Sequence, residues 1–267
     1  VTALTLVVVE GRALHSGETS RVTLRARPGP VTLASGGQEA PLGRWSALPA
    51  ERSTWLALDG GARRVRLVEH LLAALGGMGL HAGVGIEADG TELPLLDGGA
   101  RAWTRALATL EVPRAATPRT VTRAATVDVG RSRYAFRPAA RASVAVNIEF
   151  DDARVAPSAR WSGDADDFVR RVAPARTFCF ARELDELSRN GLAAFATPEA
   201  VMVIGETILA VGAPYAEDEP ARHKLLDLIG DLYLYGGPPR GEVHAHRPGH
   251  SVTHEAMRIA LDQGIIA

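Results

Sequence analysis

Two things the chain has little of bound it before any motif is read. A single cysteine, Cys179, in 267 residues excludes an internal disulfide and a cysteine-based metal cluster, and is compatible with a reducing compartment. Long apolar runs are missing as well. The Val1-to-Val9 stretch is too short to span a bilayer and has no basic flank, so it reads as a strand. No integral membrane segment is expected, and the cytoplasm is the default localisation. A net charge of −1 offers none of the basic surplus that nucleic acid or an anionic membrane attracts. Lysine is almost absent too: Lys224 stands alone in a Lys+Arg total of 30. What the chain does have is 46% hydrophobic and 23% charged residues, the balance of a soluble globular protein with a sizeable core. Its length suits one large domain or two ordinary ones.

The lone lysine falls in the most informative stretch, Arg222-His223-Lys224-Leu225-Leu226-Asp227-Leu228-Ile229-Gly230-Asp231. Leu225, Leu228, Ile229 and Leu232 repeat at helical spacing, which predicts a helix with one apolar stripe. His223 and Asp227 are one turn apart and emerge side by side; Asp231 is one turn further on. An imidazole and a carboxylate so placed make a ligand pair for a borderline metal such as Zn²⁺. A lysine here, in a chain otherwise using arginine, points to a need for a compact ammonium.

The rest of the chain reads as two related halves. The first gives strands at Leu4–Val9, Thr19–Arg25, Thr54–Leu58 and Arg64–Val68, with short strands and loops between Pro28 and Pro49. A helix over Glu69–Leu75 is stopped by Gly76-Gly77. A strand at Gly83–Ala88 and a second helix to Leu110 follow. Two prolines and a charge shift make Glu111–Pro118 the linker. The second half gives strands at Arg119–Val129, Tyr134–Pro138 and Ser143–Phe150, a polar loop over Asp151–Asp166, and a helix over Ala181–Asn190. Short strands at Val201–Ile204 and Thr207–Val211 precede the His223 helix. A strand at Gly241–His246, the turn Arg247–His250 and a helix from Val252 to Gln263 close the chain. Glu69-His70-Leu71-Leu72-Ala73-Ala74-Leu75 aligns with Arg222–Leu228, and each half then supplies a strand, a glycine turn and a final helix. The expectation is an α+β fold of two similar domains, 1–113 and 118–267, each a mostly antiparallel sheet with two helices. The simplest core sandwiches the helices between the two sheets. A site would then form where the helices of the halves meet.

That placement makes His70 the third ligand candidate beside His223 and Asp227, a three-ligand set with an open position. Glu69, next to it, is placed to act as a general base toward a metal-activated water. His250, in its turn, is a candidate general acid, with Asp231 to orient it and raise its pKa. Thr177 is a candidate donor to an oxyanion.

Taken together these stretches resemble the zinc-dependent UDP-3-O-acyl-N-acetylglucosamine deacetylases over most of the chain and in the same order. Gly11–Gly17 is similar to that family's N-terminal Gly-Leu-His-Ser-Gly loop. Val68-Glu69-His70-Leu71 with Ala73-Ala74-Leu75 is similar to its first zinc motif, and Leu96-Asp97-Gly98 to its Met-Asp-Gly turn. Ala175-Arg176-Thr177-Phe178, Gly191-Leu192, Arg222–Leu232 and Gly249-His250 complete the set. The resemblance implies two α+β domains with helices between sheets and a hydrolase that removes acetate from a nucleotide-linked N-acetylglucosamine in lipid A synthesis. It implies His70, His223 and Asp227 as ligands of Zn²⁺ or Fe²⁺, Glu69 as general base, and His250 as general acid held by Asp231. It also implies Thr177 and Lys224 at the oxyanion or substrate, Phe178 against the sugar, and His15 toward the nucleotide end. No nucleic-acid partner is expected, and the chain is expected to be a monomer. Three places depart from the family pattern: Leu67 replaces a Thr, Glu51-Arg52-Ser53 is polar where the family pocket is apolar or carries Cys, and Ala193–Pro198 lacks the family's Gly-Gly-Ser and Asp-Asn in a short acyl-passage insert. Deacetylation of an N-acyl sugar lacking the long acyl chain, or a silent sugar-nucleotide-binding relative, are the alternatives.

Overall fold

The computed structural model describes residues 5–50, 52–112, 117–191 and 195–267. The first half runs β1 (Leu6–Arg12), β2 (Thr19–Pro30), β3 (Thr32–Ser35), β4 (Gln38–Pro41), β5 (Ser46–Leu48), β6 (Trp55–Leu58), β7 (Arg63–Arg66), α1 (Glu69–Gly77), β8 (Ala82–Ala88) and α2 (Arg101–Ala108). The second runs β9 (Ala125–Val129), β10 (Ser132–Arg137), β11 (Ala142–Asn147), β12 (Ser158–Trp161), α3 (Ala165–Asp167), β13 (Thr177–Phe180), α4 (Leu184–Arg189), β14 (Val201–Ile204), β15 (Ile208–Leu209), α5 (Glu219–Tyr233), β16 (Gly241–His246) and α6 (His250–Asp262).

The two halves share one sheet plan. The strand orders are β1-β2-β8-β3-β4 and β9-β10-β16-β11-β12. In each, the last strand of the half inserts between the second and third, antiparallel to the second and parallel to the third. Each half also sends out a three-stranded sheet ahead of its ligand-bearing helix, β5-β6-β7 before α1 and β13-β14-β15 before α5. The α+β fold and the internal duplication are therefore both present. Alternation builds the sheets: in β10, Tyr134 and Phe136 are buried while Arg133 and Arg137 face out, as period-2 side chains on a one-sided sheet must. Contacts run from β1 to α2, α2 to α1, α1 to α5, and α5 to β11 and β12, with α6 against α5 and β9.

Three expected elements differ. β12 lies inside the stretch expected as a loop, because only Trp161 of Ser158–Trp161 is buried and the strand reads as polar. β9 starts at Ala125; upstream, Thr120 and Val121 make only single bridges to Arg240 and Ile266. The final helix starts at His250, where the Thr253 amide already donates to Gly249 O. Residues 113–116 of the expected linker, Glu51, and residues 192–194 of the divergent stretch lie outside the described residues.

Two features aim α1 and α5, which carry the candidate ligands. Leu67 turns the corner from β7 into α1 at a φ of 60°, a conformation costly for a branched side chain and kept only where the surroundings impose it. α1 and α5 cross closely enough that a Cβ on Gly230 would stand 2.1 Å from Glu69 O. α5 itself starts with Glu219 and Pro220 in its first turn and an i,i+4 pair between Arg222 and Asp218 at 2.9 Å, favourable choices at a helix start. It is buried on nearly every side. The face opposite its leucines is therefore a packed polar face rather than a solvated one.

Candidate active site

His70, His223, Asp227, Glu69, His250, Lys224, Thr177, Phe178 and His15 all line one cavity of about 620 Å³. Asp231 lies behind His250, its Oδ2 accepting from His250 Nδ1 at 2.8 Å. Four segments converge around the candidate ligands, the start of α1, the polar face of α5, the first residue of α6, and β13, and the loop between β1 and β2 adds His15. The same cavity is also lined by the apolar side chains of Leu95, Leu187, Val201, Val203 and Leu209.

His70, His223 and Asp227 offer ligand atoms all within 4.8 Å of one another, and all three residues are buried. Asp227 Oδ1 is 3.5 Å from His223 Nε2 and 3.7 Å from His70 Nε2. Atoms bonded to one tetrahedral Zn²⁺ stand about 3.4 Å apart at ordinary bond lengths, so the set fits a divalent cation with little movement. The protonation states fit as well. Burial and the neighbouring His223 push His70 down to about 3, and burial holds His223 below its usual value. Burial alone would raise Asp227, but Lys224, His223, His250 and His70 outweigh it and hold the carboxyl well below the usual range. Two neutral imidazoles and a carboxylate are what a metal needs.

Burial raises Glu69 to about 7 against the opposing pull of His250. Burial would lower His250, yet Asp231 reverses it and lifts the imidazole to about 9. The two groups are thus pushed toward a carboxylate base and an imidazolium acid that coexist between those values, the pattern of an acid–base pair. Asp231 stays ionised: its burial is outweighed by His250, His254 and hydrogen bonds from His250 and Thr54.

Lys224 Nζ donates to Asp227 Oδ2 at 2.7 Å, and that carboxylate keeps the ammonium charged against its burial. The Thr177 amide donates to Gly98 O at 2.8 Å, so the Asp97-Gly98 turn fixes the start of β13. Phe178 meets His223 edge-to-face at 6.2 Å and Phe150 at 5.5 Å. His15 is tied to Glu92 rather than free: Nδ1 is 2.8 Å from Glu92 Oε1, which also accepts the His15 amide.

Several participants were given no role by the sequence. Thr54 touches Glu69, Asp231, His250 and His254. His254, one turn after His250, was open to the same i,i+4 reasoning that picks out Asp227. Arg176 joins Glu219 through Nε at 2.8 Å and reaches the Val211 and Ala213 carbonyls, which locks the segment just before Thr177. Arg52 and Glu183, 2.7 Å apart, place an ion pair on the cavity wall.

Comparison with known proteins shows the family. The LpxC family model, UDP-3-O-acyl N-acetylglycosamine deacetylase, matches residues 2–262. The chain belongs to this family. A UDP-3-O-acyl-N-acetylglucosamine deacetylase of Myxococcus xanthus is 34% identical over 266 residues, covering 94% of this chain and 82% of the relative. Deacetylases of the same description from Pseudomonas entomophila and Cellvibrio japonicus are each 32% identical, over 93% and 95% of this chain and 85% and 87% of theirs. In this family member residues from the motifs of both halves line one cavity.

Proposed function

We propose that this chain is a metal-dependent amidohydrolase that removes the acetyl group of UDP-3-O-acyl-N-acetylglucosamine in lipid A synthesis. Residues 1–113 would bring His70 and Glu69, and residues 118–267 the remaining ligands and the acid. The observation that carries this reading is the convergence of His70, His223, Asp227, Glu69 and His250 on one cavity that apolar side chains also line.

A cation held by the His70 and His223 imidazoles and Asp227, Zn²⁺ or Fe²⁺, would polarise the acetamide carbonyl and acidify a water. Glu69 takes the proton of the water that attacks the acetamide carbonyl carbon. Lys224 and Thr177 donate to the oxygen on which negative charge develops. His250, held by Asp231, gives its Nε2 proton to the departing nitrogen, so that the amine leaves neutral. Phe178 packs on the sugar, the His15 end takes the nucleotide side, and the apolar lining residues of the cavity take the acyl chain.

No helix of the described residues is long and apolar enough to cross a membrane, and we place the enzyme in the cytoplasm as a monomer. The deciding experiment is acetate release from the acylated nucleotide sugar and from its unacylated counterpart, each with and without chelator. Metal-dependent release with strong preference for the acylated form is expected. Equal turnover of both would assign a different amino sugar, and nucleotide binding without release would make the chain a silent relative.

A further inference from the structure

Thr54 hydrogen-bonds on both sides of the proposed proton-transfer pair. Its backbone amide donates to Glu69 Oε2 at 3.0 Å. Its hydroxyl donates to Asp231 Oδ1 at 2.5 Å, since an ionised carboxylate only accepts. The same oxygen is 3.1 Å from His250 Nδ1 and 3.3 Å from His254 Nε2. The single hydroxyl proton goes to Asp231, so toward an imidazole Thr54 Oγ1 can only accept; the His250 Nδ1–H is taken by Asp231 at 2.8 Å, which leaves His254 Nε2–H as the donor to Thr54. A directed chain follows: His254 Nε2–H to Thr54 Oγ1, Thr54 Oγ1–H to Asp231 Oδ1, and His250 Nδ1–H to Asp231 Oδ2. All five residues are buried, Thr54 to 1% exposure, where such bonds are strong and their loss is expensive.

We propose that Thr54 is a positioning residue that sets the general base and the general acid at once, its backbone orienting Glu69 and its hydroxyl orienting the Asp231–His250 pair. With Oδ1 occupied by Thr54, Asp231 cannot rotate to offer that oxygen to His250. The imidazole plane is thereby fixed, and its Nε2–H points into the cavity. With Oε2 occupied by the Thr54 amide, Glu69 has its other oxygen to present to a pocket water.

The segment is anchored for such a role. The Leu67 amide donates to Thr54 O at 3.1 Å, which ties Thr54 to the corner that launches α1. Two residues upstream, Arg52 takes a left-handed φ of 59° and pairs with Glu183 beside β13. Ser251, next to His250, donates its hydroxyl to Ala50 O at 3.0 Å. Residues flanking Thr54 thus reach three of the four segments around the candidate ligands.

The inference rests on the deacetylase reading, and its test separates the two. Thr54→Val keeps the β-branched shape and the backbone amide but loses the hydroxyl; Thr54→Ser keeps both hydrogen-bonding groups. With the acylated nucleotide sugar, Thr54→Val is expected to lose about ten- to a hundredfold in kcat, the cost typical of removing an outer hydrogen-bonding partner, with KM and bound metal unchanged. Thr54→Ser is expected to recover most of the rate. A downfield proton resonance of the His250 Nδ1–H, identified by its loss in His250→Gln, is expected to shift in Thr54→Val and return in Thr54→Ser. Wild-type kcat in Thr54→Val, a Ser variant as poor as the Val variant, or loss confined to KM or metal content would each overturn the proposal. An unshifted His250 resonance would overturn it whether or not the chain releases acetate. Absence of acetate release from the wild type, with the resonance responding as described, would instead overturn the deacetylase reading.

Discussion

His223 donates its Nδ1–H to the carbonyl of Ala175 at 3.1 Å, which leaves Nε2 as a lone pair 3.5 Å from Asp227 Oδ1. A carbonyl can only accept, so this contact chooses the tautomer and aims the ligand nitrogen before any cation arrives. The carbonyl belongs to the segment locked by the Arg176–Glu219 pair, so two buried interactions stand behind one ligand. Metal binding should therefore be tight and specific to this triad. The purified chain should carry about one equivalent of divalent metal, as a single three-ligand site requires. Chelation should abolish acetate release, and His223→Ala and Asp227→Ala should retain far less metal by elemental analysis. A triad variant that keeps both full metal content and full activity would sink the assignment.

The rate should depend on pH as a bell. In the proposed roles Glu69, raised by burial to about 7, acts as a carboxylate, and His250, lifted by Asp231 to about 9, acts as an imidazolium. Activity should thus rise as pH passes the first value and fall as it passes the second. A bound cation beside both groups favours the forms that carry less positive charge, so in the loaded enzyme both limbs should sit at or below these values. The kcat/KM profile checks this. Glu69→Gln should remove the acidic limb together with most of the activity, and a flat profile would exclude the assigned roles.

Much of this site was legible because helix geometry is local. The i,i+4 spacing of His223 and Asp227 holds in any helix, and the repeat of strand, turn and helix directed attention to His70. The duplication itself was legible because both halves keep the same order of elements, and their two sheets repeat one strand order. β12 was not, because an edge strand with one buried residue leaves no alternation to detect. Thr54 was not, because its partners Asp231, His250 and His254 lie 177 to 200 residues away. The tie between His15 and Glu92 spans 77 residues and is invisible for the same reason.

That second buried cluster makes a stability prediction. Glu92 accepts from the amides of His15 and Ser16, from His15 Nδ1, and from Arg66 at 2.8 Å. Burial alone would raise its pKa, but these donors outweigh it and bring the carboxyl from its usual 4.5 to about 2. A folded-state value below the unfolded one stabilises the fold above the unfolded value, and that stability drains away as pH falls from 4.5 toward about 2. Glu92→Gln should cost about 2 kcal/mol at neutral pH, the scale of a hydrogen bond to a charged group. The gap from wild type should narrow through that acid window in denaturant titrations. A gap independent of pH would show that the charge is not what matters.

Gly230 tests whether the α1–α5 crossing sets the metal geometry. It sits in α5 between Asp227 and Asp231, and a Cβ there would stand 2.1 Å from the Glu69 carbonyl oxygen and 2.8 Å from its carbon. Those are backbone atoms at the start of α1, so no side-chain rotation can relieve the clash and the helices must separate. Overpacking of this kind costs about 1–3 kcal/mol or more. Because His70 follows Glu69 directly, the separation also moves one ligand away from the other two, which α5 carries together. Gly230→Ala should therefore lose metal affinity out of proportion to its loss of stability. By contrast, Leu228→Ala, a cavity mutation on the same helix, should lower the melting temperature by a similar or larger amount while keeping metal at temperatures where both variants are folded. Equal metal affinity in the two variants at matched stability would show that the crossing does not control the site.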